Sequence, residues 1–387
     1  MNFTIPVDAF QNVVRKMSYI LKVATDDVTS MMMIEALDDE VRFSGNSGSV
    51  GLLITNKDCD VAEKGKVLLQ LRDISGYIAK FVPINNGVGT EKFNILSKDI
   101  LDEKSEQVVN TEWVIKSKTS FKSGKPAYKT LKFKSYDTNS LPPIKEFEDA
   151  ELIINSDIIL EGLNKILHCV DPNEIREAVA GMYLSIDDNK IVFTGTNGIK
   201  LAEAKLDVVA DIKQSAHVLK YSMALAMKMA LDHNSQVFIK FEDRHMYVKC
   251  NDVYLSGGLV LNEPYPNYIE ALQSYEKTLS IPRFDLVDSI SAAISVLDAE
   301  DNHRLTMNFS GNTLTLKNSR IEVVHEFDDE FEHELNIDLN GTFLLQIVSD
   351  FIGEYIEICF TDNVGSISFR AKDNPDYASL LMLLRLR

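Results

Sequence analysis

The densest set of potential metal ligands in the chain is a short acidic run with two histidines. His325 and His333 stand among Glu326, Asp328, Asp329, Glu330, Glu332 and Glu334. Imidazole and carboxylate donors so close together could hold a divalent cation. They read more readily as a solvated acidic hairpin. We adopt the second reading, so no metal is expected. The four cysteines, Cys59, Cys169, Cys250 and Cys359, lie far apart and form no C-x-x-C pair. They fit reduced core thiols of a cytoplasmic protein better than a zinc site or a disulfide framework. Gly124-Lys125 is not a phosphate loop: Thr119 stands where the first glycine should be, and Pro126 replaces the Ser or Thr. Gly87-Val88-Gly89 lacks the strand-to-helix setting of a dinucleotide fingerprint. Neither a G-x-S-x-G elbow nor an H-E-x-x-H motif occurs. The expectation is a binding or assembly protein and not an enzyme, with no catalytic residues and no cofactor.

The 387 residues are 45% hydrophobic and 25% charged, a composition of globular domains, two or three of them at this length. The start, Met1-Asn2-Phe3-Thr4-Ile5-Pro6, has neither the basic flank nor the apolar run of a signal peptide. No apolar stretch is long enough to span a membrane. Lys plus Arg is 40 and Asp plus Glu is 58, a net charge of −18. A protein that grips phosphates is usually basic. Any role on nucleic acid must then be local or topological, because a chain that encircles a duplex needs little affinity for it.

The elements repeat. Ile34 to Ser47, IEALDDEVRFSGNS, aligns without a gap to Leu184 to Asn197, LSIDDNKIVFTGTN, with Phe43 on Phe193 and Gly45 on Gly195. A weaker third copy is Leu305 to Ser319, LTMNFSGNTLTLKNS. Each is an alternating stretch, a polar turn and a second alternating stretch, which predicts a β-hairpin. A helical spacing precedes each hairpin: Phe10-Val13-Val14-Met17, Ile159-Leu163-Ile166 and Leu286-Ile290-Ala293. Further helices are expected at Ile74 to Phe81, Met223 to Leu231 and Phe343 to Phe351, followed by closing strands. The fold class is α+β, with three repeated domains at 1-150, 151-277 and 278-387.

Particular segments then resemble the bacterial DNA sliding clamps, the beta subunit of DNA polymerase III. Arg176-Glu177-Ala178-Val179-Ala180-Gly181 resembles the family's entry into its second hairpin. Thr196-Asn197-Gly198-Ile199-Lys200-Leu201-Ala202 is similar to its T-D-G-H-R-L-A segment, and Tyr265-Pro266-Asn267-Tyr268 to its F-P-D-Y turn. Thr361-Asp362-Asn363-Val364 and Leu381-Met382-Leu383-Leu384-Arg385-Leu386 resemble the third-domain hairpin and the M-P-M-R-L terminus. Asn197, Ile199, Lys200 and Leu383 depart from the family's Asp, His, Arg and Pro, Arg387 adds a residue, and the first domain is longer around Leu101 to Ser120.

The resemblance implies a DNA clamp fold, ring-forming, with antiparallel sheets outside and helices inside. It implies a processivity factor: a head-to-tail homodimer ring that encircles duplex DNA non-specifically and tethers DNA polymerase and clamp loader through short apolar peptides. Carried over by position, the partner-peptide pocket comprises Val179, Thr196, Gly198, Ile199, Lys200, Leu201, Pro266, Glu270, Ala271, Val364, Ser366, Leu380, Met382, Leu383 and Leu384. Candidate channel cations are Arg15, Lys16, Lys22, Lys80, Lys165, Arg176, Lys220, Lys228 and Arg283, each also readable as an ordinary surface cation. The alternative to a clamp is a β-rich structural or receptor-binding protein built from duplicated domains.

Charge supports a head-to-tail interface independently. Lys116 to Lys134 holds seven lysines and no acid, and Leu131 and Phe133 alternate with Lys132 and Lys134 as in a strand with one apolar face. Ile321 to Phe327 is a strand candidate within an acidic run. Such edges must be paired or protected. The expected interface joins Lys129, Leu131, Lys132, Phe133 and Lys134 to Glu322 and Glu326 of a second copy, and the resemblance implies that Leu131 and Phe133 pack against the Ile294, Val296 and Leu297 helix of that neighbour.

Overall fold

A computed structural model describes residues 1–21, 27–83, 89–101, 108–121, 123–187, 189–208, 214–273, 275–296, 303–361 and 365–384. One series of elements occurs three times. The first third runs β1 (Asn2–Pro6), α1 (Val7–Ile20), β2 (Met31–Ala36), β3 (Val41–Asn46), β4 (Val50–Asn56), β5 (Asp60–Glu63), β6 (Gly65–Gln70), α2 (Leu71–Ile78), β7 (Gly89–Leu101), β8 (Val108–Ser120) and β9 (Ala127–Lys134). The second runs β10 (Leu152–Asn155), α3 (Ser156–Ile166), β11 (Gly181–Asp187), β12 (Lys190–Thr196), β13 (Lys200–Asp207), β14 (Ser215–Lys220), α4 (Tyr221–Ala230), β15 (Gln236–Glu242), β16 (His245–Cys250) and β17 (Val253–Val260). After the short α5 (Ile269–Gln273) the third runs β18 (Lys277–Pro282), α6 (Arg283–Ile294), β19 (Arg304–Ser310), β20 (Thr313–Lys317), β21 (Glu322–Glu326), β22 (Leu335–Asn340), α7 (Gly341–Ser349), β23 (Tyr355–Phe360), β24 (Ser366–Ala371) and β25 (Asn374–Met382).

The helices form where the apolar spacing places them. In α1, Phe10, Val13, Val14 and Met17 are buried, while Asp8, Asn12, Arg15 and Tyr19 face solvent. Asn340 caps α7 by accepting from the Phe343 N–H. Close approach explains Gly162 on α3: a Cβ there would stand 2.4 Å from the Phe193 ring, so only glycine lets the helix settle on β12.

By packing, the described chain divides into two compact units, one of residues 1–157 with 222–259 and one of 158–221 with 260–387. The first holds two antiparallel sheets, ordered β5-β1-β7-β8-β9 and β10-β15-β16-β17-β4-β3-β2-β6. The second holds β18-β23-β24-β25-β13-β12-β11-β14 and the smaller β21-β20-β19-β22. Each large sheet joins strands of two different thirds edge to edge, through β4 on β17 and through β13 on β25. Both junctions have one register: Ile54 lies opposite Val253, and Ala204 opposite Tyr377. Within the described residues, β9 and β21 end their sheets without such a partner.

Candidate partner-binding site and open edges

The β12–β13 turn is built by local side-chain bonds. Asn197 Oδ1 accepts from the N–H groups of Ile199 (3.0 Å) and Lys200 (2.9 Å). Thr196 Oγ1 donates to the Lys200 carbonyl at 2.9 Å and accepts from Gly198 N–H at 3.1 Å. Gly198 has φ +82°, a conformation side chains rarely adopt. The Met382 N–H donates to the Ile199 carbonyl at 2.8 Å, bringing the last strand onto this turn. The chain end is held further on, by Leu383 N–H on Gly365 O and Leu384 N–H on Asp338 O.

Beside this junction Leu201, Leu272 and Leu380 form a buried cluster with Tyr268, Tyr275 and Ala378 packed on it. Ile199 and Met382 remain 46% and 41% exposed beside it. Pro266, Glu270 and Ala271 are exposed on the segment carrying α5, which Arg370 holds by donating to the Leu272 carbonyl. Val179 is buried, and Ser366 is half-buried within reach of the Tyr275 hydroxyl (3.5 Å). Val364 lies outside the described residues.

Lys200 departs from its expected role. Strand alternation turns it away from Leu201. Its side chain is buried, with Nζ donating to Gln346 Oε1 at 2.6 Å and lying 4.7 Å from the Phe343 ring centre. Burial holds its ammonium below the usual lysine range, against opposing pulls from Cys169 and Asp350. Lys200 is therefore an internal strut and not a surface contact. Neighbouring Cys169 is pushed up to about 12 by burial, an inert thiol. The alignment of motifs missed the aromatic wall. Tyr183 stacks on Tyr265 with ring centres 5.0 Å apart, and Tyr268 meets both edge-on. Desolvation raises the phenols of Tyr265 and Tyr268.

The candidate cations divide. Lys16 is buried and paired with Asp232 at 2.8 Å. Lys165 is buried, paired with Glu161 at 2.6 Å and set over the Tyr377 ring. Neither is presented to a duplex, because each lysine side chain is buried and its ammonium is already paired with a carboxylate. Arg15, Lys80, Arg176 and Lys220 are exposed, while Lys228 and Arg283 are half-buried. Arg176 is paired with Glu174 at 3.0 Å, and Arg283 donates to Gly353 O. Lys22 lies outside the described residues.

Both expected interface strands are sheet edges. On β9, Phe133 stacks on buried Trp113 at 4.5 Å, Lys129 lies over the Phe81 ring, and Lys132 pairs with Glu112 at 3.3 Å. Leu131 is half-buried and Lys134 exposed. On β21, Glu322 and Glu326 are exposed. Two large apolar side chains stand out on these edges, Tyr128 at 72% and Val324 at 57% exposure. Val296 is 39% exposed, Ile294 is half-buried, and Leu297 lies outside the described residues.

His325 is engaged elsewhere: Nδ1 lies 3.3 Å from Ser289 Oγ and Nε2 lies 3.9 Å from Asp285. The set has the composition of a hydrolytic triad, but Ser289 is 3% exposed, and such a hydroxyl cannot reach a substrate. Among the described residues no group of His, Cys, Asp and Glu is arranged to hold a metal. No described helix is long and apolar enough to cross a membrane.

Paired antiparallel sheets with two helices, three times over, define the DNA-clamp class of fold. Within it the resemblance falls on the bacterial beta sliding clamps, to which the chain is similar in sequence and in fold. A family model described as DNA polymerase III beta subunit, central domain, matches residues 153–267. The chain is 20% identical to the beta sliding clamp of Bacillus subtilis over the full length of both, and 22% identical to that of Buchnera aphidicola over 88% of this chain and 89% of the other. The crystal structure of the Pseudomonas aeruginosa DNA polymerase III beta subunit superposes with a TM-score of 0.81 at 17% identity, covering both chains fully. The Thermotoga maritima beta subunit gives the same TM-score at 15% identity, again with full coverage.

Proposed function

We propose that this chain is a DNA polymerase processivity factor. Two copies, each of three clamp domains (1-150, 151-277, 278-387), close head to tail around duplex DNA and tether polymerase and clamp loader by short apolar peptides. The observation that carries this reading is the pair of unpartnered edges at the two ends of the repeat series. Pro6, Asn155 and Pro282 each precede a first helix, and counting across the ladders from them puts Thr130, Tyr254 and Ala378 at one place. Counting likewise from Gln70, Lys220 and Asn340 puts Leu53, Glu203 and Glu322 at one place. Leu53 faces Tyr254 and Glu203 faces Ala378. A second copy added by the same rule sets Glu322 against Thr130, Val323 against Lys129 and Val324 against Tyr128. The two exposed apolar side chains of the edges then cover each other, and a heterologous contact that closes needs no further partner.

The peptide pocket would be the surface beside Gly198, Ile199, Met382 and the Leu201–Leu272–Leu380 cluster. Its adaptable apolar side chains with few polar groups suit a short apolar anchor.

Thr55 N–H bonds Asp252 O, so the adjacent position, Ile54 with Val253, is the narrow kind of pair. Its intermolecular counterpart is Val323 with Lys129. Val323→Cys with Lys129→Cys should therefore oxidise to covalently closed rings, detected as dimers on non-reducing gels. Val324→Cys with Lys129→Cys points to opposite faces and should cross-link poorly. Equal cross-linking of both, or none in a protein that sediments as a dimer, would refute the pairing.

A further inference from the structure

The first and third repeats treat one sheet edge differently. In the first, β5 lies antiparallel along β1, with Phe3 opposite Val61 and Thr4 opposite Asp60. That strand comes from the connection between β4 and β6. The corresponding connection between β21 and β22, residues 327–334, forms no strand. It leaves β18, the counterpart of β1, as the last strand of its sheet among the described residues. A cleft of about 750 Å³ runs along that edge, between Thr278 and Ser280 on one side and residues 326–332 on the other.

Three properties of the cleft select an occupant. The Arg283 N–H bonds Glu354 O, so alternate residues from Arg283 back along β18 face β23. Thr278 and Ser280 then turn their N–H and C=O groups to the cleft, and both are exposed. Its walls carry the carboxylates of Asp285, Glu326, Asp328, Asp329, Glu330, Glu332 and Glu357, and no lysine or arginine among the described residues. Phe327 and Phe331, with ring centres 5.2 Å apart, and Tyr355 add apolar surface.

We infer that this cleft takes an extended basic segment of a partner protein as an added strand, antiparallel to β18 in the place β5 fills in the first repeat. Main-chain bonds to Thr278 and Ser280 supply the affinity common to any sequence, and alternate side chains meet the carboxylates and the rings. Charge complementarity sets the preference for lysine and arginine and speeds encounter. The site uses residues of the third repeat alone, adjoins the proposed ring-closing strand β21 at His325 and Glu326, and shares no residue with the peptide pocket.

The probe is a fluorescein-labelled octapeptide of alternating lysine and valine, titrated with the full chain and read by anisotropy. Saturable binding is expected, absent for a glutamate–valine peptide. Asp328→Lys with Asp329→Lys and Glu330→Lys should weaken it about tenfold or more. Ser280→Pro removes a cleft-facing N–H and should weaken binding, whereas Ser280→Ala keeps that N–H and should not. Where the proline disturbs folding, a probe N-methylated at alternate residues tests the same bonds on the unaltered protein. No saturable binding, or binding indifferent to N-methylation, overturns strand addition. Binding to a monomeric variant but not to the dimer assigns the cleft to a second copy and overturns the partner segment.

Discussion

A buried lysine in a turn otherwise read as a peptide site is a physical cost that must be matched by structure. Lys200 reaches Gln346 and the face of Phe343, and burial still depresses its ammonium. With the folded value below the unfolded one, the unfolded chain binds more protons at alkaline pH. Stability then rises with pH as the folded group loses its proton, and the gain is complete above the ordinary lysine value of about 10.4. Denaturant melts of the wild type should therefore strengthen between neutral and alkaline pH relative to Lys200→Met, which keeps the apolar stem. Parallel pH profiles for the two proteins would contradict this account. Met382 carries a different burden, because it is exposed beside Ile199 while its N–H is already bonded. Met382→Ala should leave melting temperature and dimer mass unchanged and weaken a partner peptide by about 1 kcal/mol or more if it is a hot spot. Isothermal titration with a polymerase-derived peptide measures this directly.

Among elements, β9 and β21 are the edges through which assembly is proposed. Leu131→Ala with Phe133→Ala is a poor test of the interface, since Phe133 stacks on buried Trp113 and its loss disturbs the subunit itself. Tyr128→Ala with Val324→Ala removes side chains that touch little within the chain. It should lower the dimer fraction in sedimentation at low concentration while leaving thermal unfolding of the monomer unchanged. An undiminished dimer would show that these edges do not meet. The helices and hairpins were legible because their signals are local: apolar spacing for α1, α3 and α6, and alternation with polar turns for β2–β3, β11–β12 and β19–β20. The edge-to-edge junctions were not, because the register of β4 on β17 or β13 on β25 leaves no mark in either strand alone. The same distance hid Lys16, whose partner Asp232 is far along the chain. Lys165 was readable after all, as its partner Glu161 stands one helical turn earlier. At the candidate pocket the glycine turn and the apolar terminus were visible in sequence. The inward turn of Lys200 and the Tyr183–Tyr265–Tyr268 wall depend on which face of a paired strand is buried.

For the whole molecule the dominant quantity is a net charge of −18. Of the nine cations considered for DNA contact, Lys16 and Lys165 are buried and already paired with carboxylates, and Arg176 is paired at the surface. Each of the remaining candidates that neutralises a phosphate contributes about 0.9 to the slope of log affinity on log salt. Direct binding to a short linear duplex should be weak against the net charge of −18 and strongly salt-sensitive. Retention by a closed ring depends instead on topology and tolerates salt that would strip an electrostatic binder. Rings loaded on nicked circular DNA should therefore co-elute with it through gel filtration at moderate salt, and be lost once a restriction enzyme opens the circle. Covalent closure through Val323→Cys with Lys129→Cys sharpens the test: cross-linked rings should stay on circular DNA in salt high enough to dissociate ordinary dimers, and still slide from the linear form. Equal retention on circular and linear DNA, or tight sequence-specific binding to a short duplex, would mean that the protein holds DNA by contact and not by encirclement.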